Sequence, residues 1–363
     1  MQSKQEQVPN DVKPSVTALS VAMAFSRSLD TGYIYLFSKQ ELALTQHFVN
    51  VGKQSLYGLN WALSESLFRM PYFLQQSFFN TVVVPGYDHI IMLRKLMIKD
   101  KIERAIKSGI EQIIFLGGGY DIRALVTALA HPDISIYELD RGPTRVHKIK
   151  GLKTIPKEVC LENVSLTEQT DGTILLGDNL RYIECDLGEN NLLDTLKSHG
   201  FNQNRRTLVI AEGLTMYLSE EENKKLLESM AKILKENDEL LLSFGSATAS
   251  SSKIAEASLQ RSKETYRFSL APQNVIAFVE KSGFAVNGKF VAASMLEKIG
   301  DLSAATYHKK NASGRKEYYY LLQKSSLELD ERRSIEAVAD IKVDIPNKPE
   351  VEVTDSPSGC MII

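Results

Sequence analysis

The chain is poor in the residues that staple a fold or hold a metal. Its three cysteines, Cys160, Cys185 and Cys360, lie far apart and form no CxxC pair. That spacing argues against a disulfide framework and a cysteine zinc site, and it fits a reducing, cytoplasmic compartment. Six histidines show neither HxxxH nor HExxH spacing, so no metal is expected. The fairly apolar segment 16–25 is far too short to span a bilayer. Residues 1–14 are polar, lack a signal-peptide hydrophobic region and read as disordered. No internal repeat is apparent. A net charge of −2 provides no global field to recruit nucleic acid or an anionic membrane.

What remains is an ordinary soluble composition. Of 363 residues, 43% are hydrophobic and 24% charged, enough apolar material for a sizeable core. Residues 15–85 are rich in aromatics, among them Phe25, Tyr33, Phe37, Phe48, Trp61 and Phe73. They read as helical packing onto a main sheet, and also as a lid over an apolar pocket. After Pro85-Gly86, an amphipathic helix runs from Asp88 to Lys107. Strands are expected at 112–116, 134–139, 181–184, 207–211 and 239–244. The last two are nearly continuous apolar runs, as strands covered on both faces should be. A helix at 220–235 opens with a Ser219/Glu222 capping box. Segments 284–291 and 316–322 read as a closing strand pair. Strand–helix alternation of this kind predicts an α/β fold with a doubly wound, mostly parallel sheet. Residues 151–180 lack a strong period and read as a functional or mobile insertion.

The chemistry concentrates between Gln112 and Asp140. A buried strand ends in Gly117-Gly118-Gly119, Asp121 is placed to cap a helix, and the next strand ends in Asp140. This is how a parallel α/β sheet holds an adenosine-type ligand: glycines admit close backbone approach, and the acid accepts from ribose hydroxyls. The turn has no lysine and Ser/Thr for a P-loop. Ile122 stands where a nicotinamide or flavin fingerprint wants Gly or Ala. A carboxylate at Asp121 would also repel a pyrophosphate on the helix N-terminus. S-adenosylmethionine, phosphate-free and cationic at its sulfonium and ammonium, suits the turn better. Glu212 follows an apolar strand at the carboxyl edge, where open α/β sheets bind ligands.

The run Ile114–Ala124 resembles the LGxGxDxRA signature of the leucine carboxyl methyltransferase family. Tyr137-Glu138-Leu139-Asp140 with Lys148, Tyr182–Leu187, and Ile210–Leu218 resemble three further motifs of that family, in order. The resemblance runs from about residue 80 to residue 322. It implies a Rossmann-like class I methyltransferase domain at 86–323 and a helical N-terminal lid and substrate segment at 1–85. It also implies S-adenosylmethionine as cofactor and O-methyl transfer to a small-molecule or protein acceptor. By resemblance, Gly117 and Gly119 line the methionyl part and Asp140 holds the ribose, with Glu138 nearby. Asp186 and Leu187 frame the adenine, and Arg94 pairs with the cofactor carboxylate. Glu212 sits at the methionyl end, while Asp121 and Arg123 support the turn. Tyr217 has two readings, core or substrate-facing. Arg94 has an alternative as one more charge on a solvated face, and Arg123 as an ion-pair partner of Asp121 or Glu138. Tyr120 replaces a smaller family residue, and the first 80 residues match only loosely, so the acceptor does not carry over.

A carboxylate acceptor, already ionised, needs no general base, and the chain offers no evident histidine–acid pair. Carboxyl methylation is therefore favoured over hydroxyl methylation. Two other readings stand beside it: a nicotinamide-dependent oxidoreductase, and a non-catalytic binding protein of the same fold. Residues 324–363 read as a flexible tail. Their end, Cys360-Met361-Ile362-Ile363, matches the C-a-a-X prenylation pattern. Used in a host cytosol, it would bring a translocated protein to membranes; the other reading is coincidence.

Overall fold

The computed structural model describes residues 15–28, 33–55, 86–160, 165–188, 191–246, 266–300, 302, 305, 306, 309, 316–325, 339–343 and 345. The aromatic stretch 56–85 and Cys360 lie outside the described residues.

Helices α1 (Val16–Ser28), α2 (Lys39–Ser55) and α3 (Tyr87–Lys107) precede the sheet. Then come β1 (Gln112–Leu116), α4 (Arg123–Ala130), β2 (Ser135–Asp140), α5 (Gly142–Lys153) and the single turn α6 (Lys157–Cys160). Three short strands follow: β3 (Leu166–Glu168), β4 (Ile174–Leu176) and β5 (Leu180–Glu184). The remainder is α7 (Leu192–Ser198), β6 (Thr207–Ala211), α8 (Glu220–Ile233), β7 (Glu239–Ser246), α9 (Pro272–Glu280), β8 (Phe284–Phe290) and β9 (Lys316–Lys324).

The nine strands form one sheet in the order β3-β4-β5-β2-β1-β6-β7-β9-β8. The central five are parallel, and antiparallel pairs close both ends. Side chains alternate across the sheet, so one strand feeds two cores. Ile113 and Phe115 join a core with α1 to α4, whereas Ile114 and Leu116 join one with α7 to α9. This two-sided burial is why the strands read as unbroken apolar runs. The α8 capping box is formed: Ser219 Oγ accepts from the Glu222 amide, and the Glu222 carboxylate accepts from the Ser219 amide.

Two segments differ from the sequence reading. Region 151–180 holds α6 and the β3–β4 hairpin. Strands of three residues are too short to show a period. Part of the expected flexible tail is also docked. Lys289 on the edge strand β8 donates its amide to Ala339 O and accepts from the Ile341 amide. A Cβ on Gly288 would lie 2.9 Å from Ile341 Cγ1, so the glycine leaves room for this crossing. The segment satisfies backbone groups that an open sheet edge would leave unpaired. Ile341→Asp is expected to detach it, speeding hydrogen exchange at the Lys289 amide and lowering stability by roughly 1–2 kcal/mol.

Candidate functional site

Strand register alone builds a row of site residues. Leu116 pairs with Leu139, and Phe115 pairs with Ile210. Continuing the first pair by one step and the second by two brings Gly117, Asp140 and Glu212 level at the carboxyl ends of three adjacent strands. β6 in turn pairs Ala211 with Leu242, which brings Ser243 level with Glu212. Ser243 Oγ accepts from the Gly213 amide at 2.8 Å.

The glycine turn needs its glycines for two different reasons. Gly117 and Gly119 have φ of 68° and 54°, a region where L side chains are strained. Gly118 is required for space. A Cβ there would lie 2.5 Å from the Glu138 carboxyl group, itself fully enclosed. Leu214, from the loop after β6, closes on Gly117, where a Cβ would stand 3.2 Å from its Cδ1. Ala18 of α1 closes on Gly119 from the other side, and Tyr120 packs among Leu19, Ala22 and Val49. The first helix therefore lies directly on the turn.

Asp140 Oδ2 accepts from the Gly119 amide at 2.7 Å, and Oδ1 from the Arg141 amide at 2.8 Å. It forms no ion pair among the described residues. Burial raises its pKa against these bonds. Two backbone donors leave carboxylate lone pairs for ribose hydroxyls.

Glu212 belongs to a buried charge network. Lys95 Nζ lies 2.7 Å from Glu212 Oε1 and 2.6 Å from Asp121 Oδ2. Arg94 donates from Nε to Glu212 and from Nη1 to Glu317 Oε2 at 2.7 Å. The sequence alternative that put Arg94 on a solvated face is corrected: Arg94 is 7% exposed and Lys95 4%. Asp121 also accepts the Arg123 amide at 2.9 Å. Burial pushes its carboxyl upward, but Lys95 and Arg123 outweigh that and hold it at about 2.

Arg123 pairs with Asp121, as one sequence reading had it, but more closely with a residue that reading did not name. Its main partner is Glu41 of α2, at 2.6 Å, while its Nε stands 3.8 Å from Asp121. Its guanidinium also lies over the rings of Phe25 and Phe37. Lys99 holds the other Glu41 oxygen at 2.9 Å, and against burial these cations keep Glu41 at about 2. Glu138 is 3% exposed and paired with Lys148 beneath the turn, and burial raises its carboxyl to about 7. Asp186, exposed at the end of β5, accepts from the Gly188 amide, and Leu187 packs on the second core. Tyr217 lies in a short 3-10 turn with its ring centroid 5.4 Å from that of Tyr266.

Sequence reasoning missed Lys95, Glu317 and Glu41 as parts of the site. Antiparallel β9 begins at the edge where β7 ends, with Gly245 opposite Glu317. Only that pairing carries Glu317 to Arg94. Two adjacent cations within the apolar run of α3 were the one available signal. No group of His, Cys, Asp and Glu suited to a metal occurs among the described residues, and no helix among them is long and apolar enough to cross a membrane.

This sheet order, with an acid at the end of β2 beside a glycine turn, defines a class I S-adenosylmethionine-dependent methyltransferase fold. The leucine carboxyl methyltransferase family model matches residues 62–231. A solved structure of a candidate methyltransferase from Thermobifida fusca aligns with a TM-score of 0.51 at 13% identity, covering 89% of this chain and 100% of that one. A DUF574 family protein from Streptomyces avermitilis aligns at 0.44 and 14% identity, covering 64% and 82%. No curated protein sequence matches the chain. Family and fold make the chain an S-adenosylmethionine-dependent methyltransferase. The donor set fits that cofactor: Asp140 keeps acceptor capacity without a cation, and the turn presents backbone.

Lys95→Met would leave Asp121 and Glu212 facing each other without their shared cation. Breaking such a buried pair is expected to cost about 3–5 kcal/mol by denaturant unfolding. A second expectation concerns acid. Asp121 and Glu41 are both held at about 2, below their ordinary values of 3.8 and 4.5. Their stabilisation is complete above those ordinary values and is lost as pH falls toward 2. Circular dichroism on acid titration should show cooperative unfolding in that window, shifted upward by Glu41→Gln.

Proposed function

We propose that this protein methylates an oxygen of its acceptor, and that the acceptor is a carboxylate on a small molecule or protein. The observation that carries this reading is the state of Glu212. It stands at the carboxyl edge beside the glycine turn, where a general base for a hydroxyl acceptor would be sought. Two cations hold it, Arg94 and Lys95. Both cations donate to the same oxygen, Oε1, so the carboxylate is committed to them rather than presented to an acceptor hydroxyl. A carboxylate acceptor asks for no base, because it reaches the site ionised.

The chain's own residues would then bind, orient and exclude water. Asp140 accepts from the ribose hydroxyls, Gly117 and Gly119 offer backbone to the methionyl portion, and Asp186 with Leu187 frames the adenine. Arg94, already flanked by Glu212 and Glu317, faces the cofactor carboxylate. When bound, S-adenosylmethionine supplies an electrophilic methyl on sulfonium. In-line attack needs the acceptor oxygen about 3 Å from that carbon. Helices α1 and α2, anchored by Arg123 and Glu41, act as the cover that keeps water from this edge. Tyr217 forms part of the acceptor wall.

Isothermal titration should show binding of S-adenosylmethionine and none of NAD; the reverse result would overturn the assignment. Asp140→Ala should weaken cofactor affinity by about 1.5–3 kcal/mol, the range for hydrogen bonds to a charged group. With labelled cofactor and a panel of carboxylates, the product should release volatile methanol in mild alkali, as methyl esters do. An alkali-stable label would mean ether or amine methylation.

A further inference from the structure

We propose that Lys148 is a positioning residue for the cofactor, its ammonium fixing the distance between the glycine turn and the acid at the end of β2. The proposal rests on the reading that this edge binds S-adenosylmethionine. Lys148 projects from α5 and is 2% exposed. Its Nζ lies 2.5 Å from Glu138 Oε1 on β2 and 2.5 Å from Asp121 O in the turn. It also stands 5.6 Å from the centre of the Tyr182 ring on β5. One point charge from α5 thus meets the turn, β2 and β5 at a single place, adding a side-chain tie to their backbone pairing.

The geometry makes the consequence specific. Glu138 and Asp140 are two residues apart on one strand, so they share a face. The Glu138 carboxyl group fills the space under Gly118, and Lys148 holds it there. Remove the ammonium, and Asp121 O and the Glu138 carboxyl group lose the cation that they share. The turn keeps its amide bonds from Gly117 to Leu139 O and from Gly119 to Asp140, but its Asp121 end loses the tie to Glu138 and is freer to shift against β2. The distance from Gly117–Gly119 to Asp140 is what a ligand spanning both would sense. Asp140 itself keeps its place at the end of β2, because β2 is paired on both sides.

This separates two kinds of ligand. S-adenosylhomocysteine touches the turn through its amino-acid part and Asp140 through its ribose. Adenosine touches only the Asp140 side. The full chain and its Lys148→Met variant, similar in length but uncharged, would be titrated calorimetrically with each, well below the melting temperature. For Lys148→Met the expected result is about a tenfold or greater loss for S-adenosylhomocysteine and less than about a threefold loss for adenosine, the size of one lost charge-assisted hydrogen bond. Glu138→Leu removes one of the lysine's two acceptors and should move the ratio the same way by less; it carries the test if Lys148→Met does not fold. Unchanged ratios of the two affinities in the folded variants would overturn the positioning role and leave the methyltransferase reading intact. Failure of the unmodified chain to bind S-adenosylhomocysteine would overturn both.

Discussion

Everything at the carboxyl edge depends on one ammonium group, that of Lys95, held between Asp121 and Glu212. A cation in this setting is expensive to bury and tolerable only with partners. Here the partners come from the glycine turn and from the loop after β6, while the lysine comes from the helix before the sheet. Arg94 extends the pairing to Glu317 on the late strand β9. Four segments distant in sequence are thereby tied to one point, and that point lies beside the row formed by Gly117, Asp140 and Glu212.

The same network explains a division of labour among the acids. Asp121, Glu138, Glu212 and Glu41 are each matched with buried cations. They set shape. Asp140 is matched only with backbone amides, so it retains capacity to accept from a ligand. A site with several carboxylates therefore offers one that is open, and it stands at the end of the strand next to the glycine turn. The N-terminal helices join this arrangement through Arg123, which reaches from the first turn of α4 to Glu41. That bond ties α2 to the helix that follows the glycine turn.

Much of the fold was legible because buried parallel strands leave an unmistakable trace. The runs at 207–211 and 239–244 had apolar residues at nearly every position, and both are interior strands of the sheet. The Ser219/Glu222 box marked the start of α8 because local side-chain-to-backbone bonds need no tertiary context. The β3–β4 hairpin was not legible, since three residues cannot display a period of two. The docking of 339–341 on β8 was hidden because polar flanks dominate the composition of that region, while the contact depends on Ile341 and a glycine fifty residues earlier.

For the site, the chain by itself determined which residues stand at strand ends: Gly117, Asp140 and Glu212 follow directly from where apolar runs stop and glycine or acid begins. It could not determine which charges neutralise one another. Lys95, Glu317 and Glu41 look like ordinary surface charges in one dimension, and only strand order and helix packing bring them within 3 Å of their partners. Electrostatic pairing falls off with distance in space and is blind to distance along the chain. The tertiary structure therefore decided which acids are matched with cations and which one meets only backbone amides.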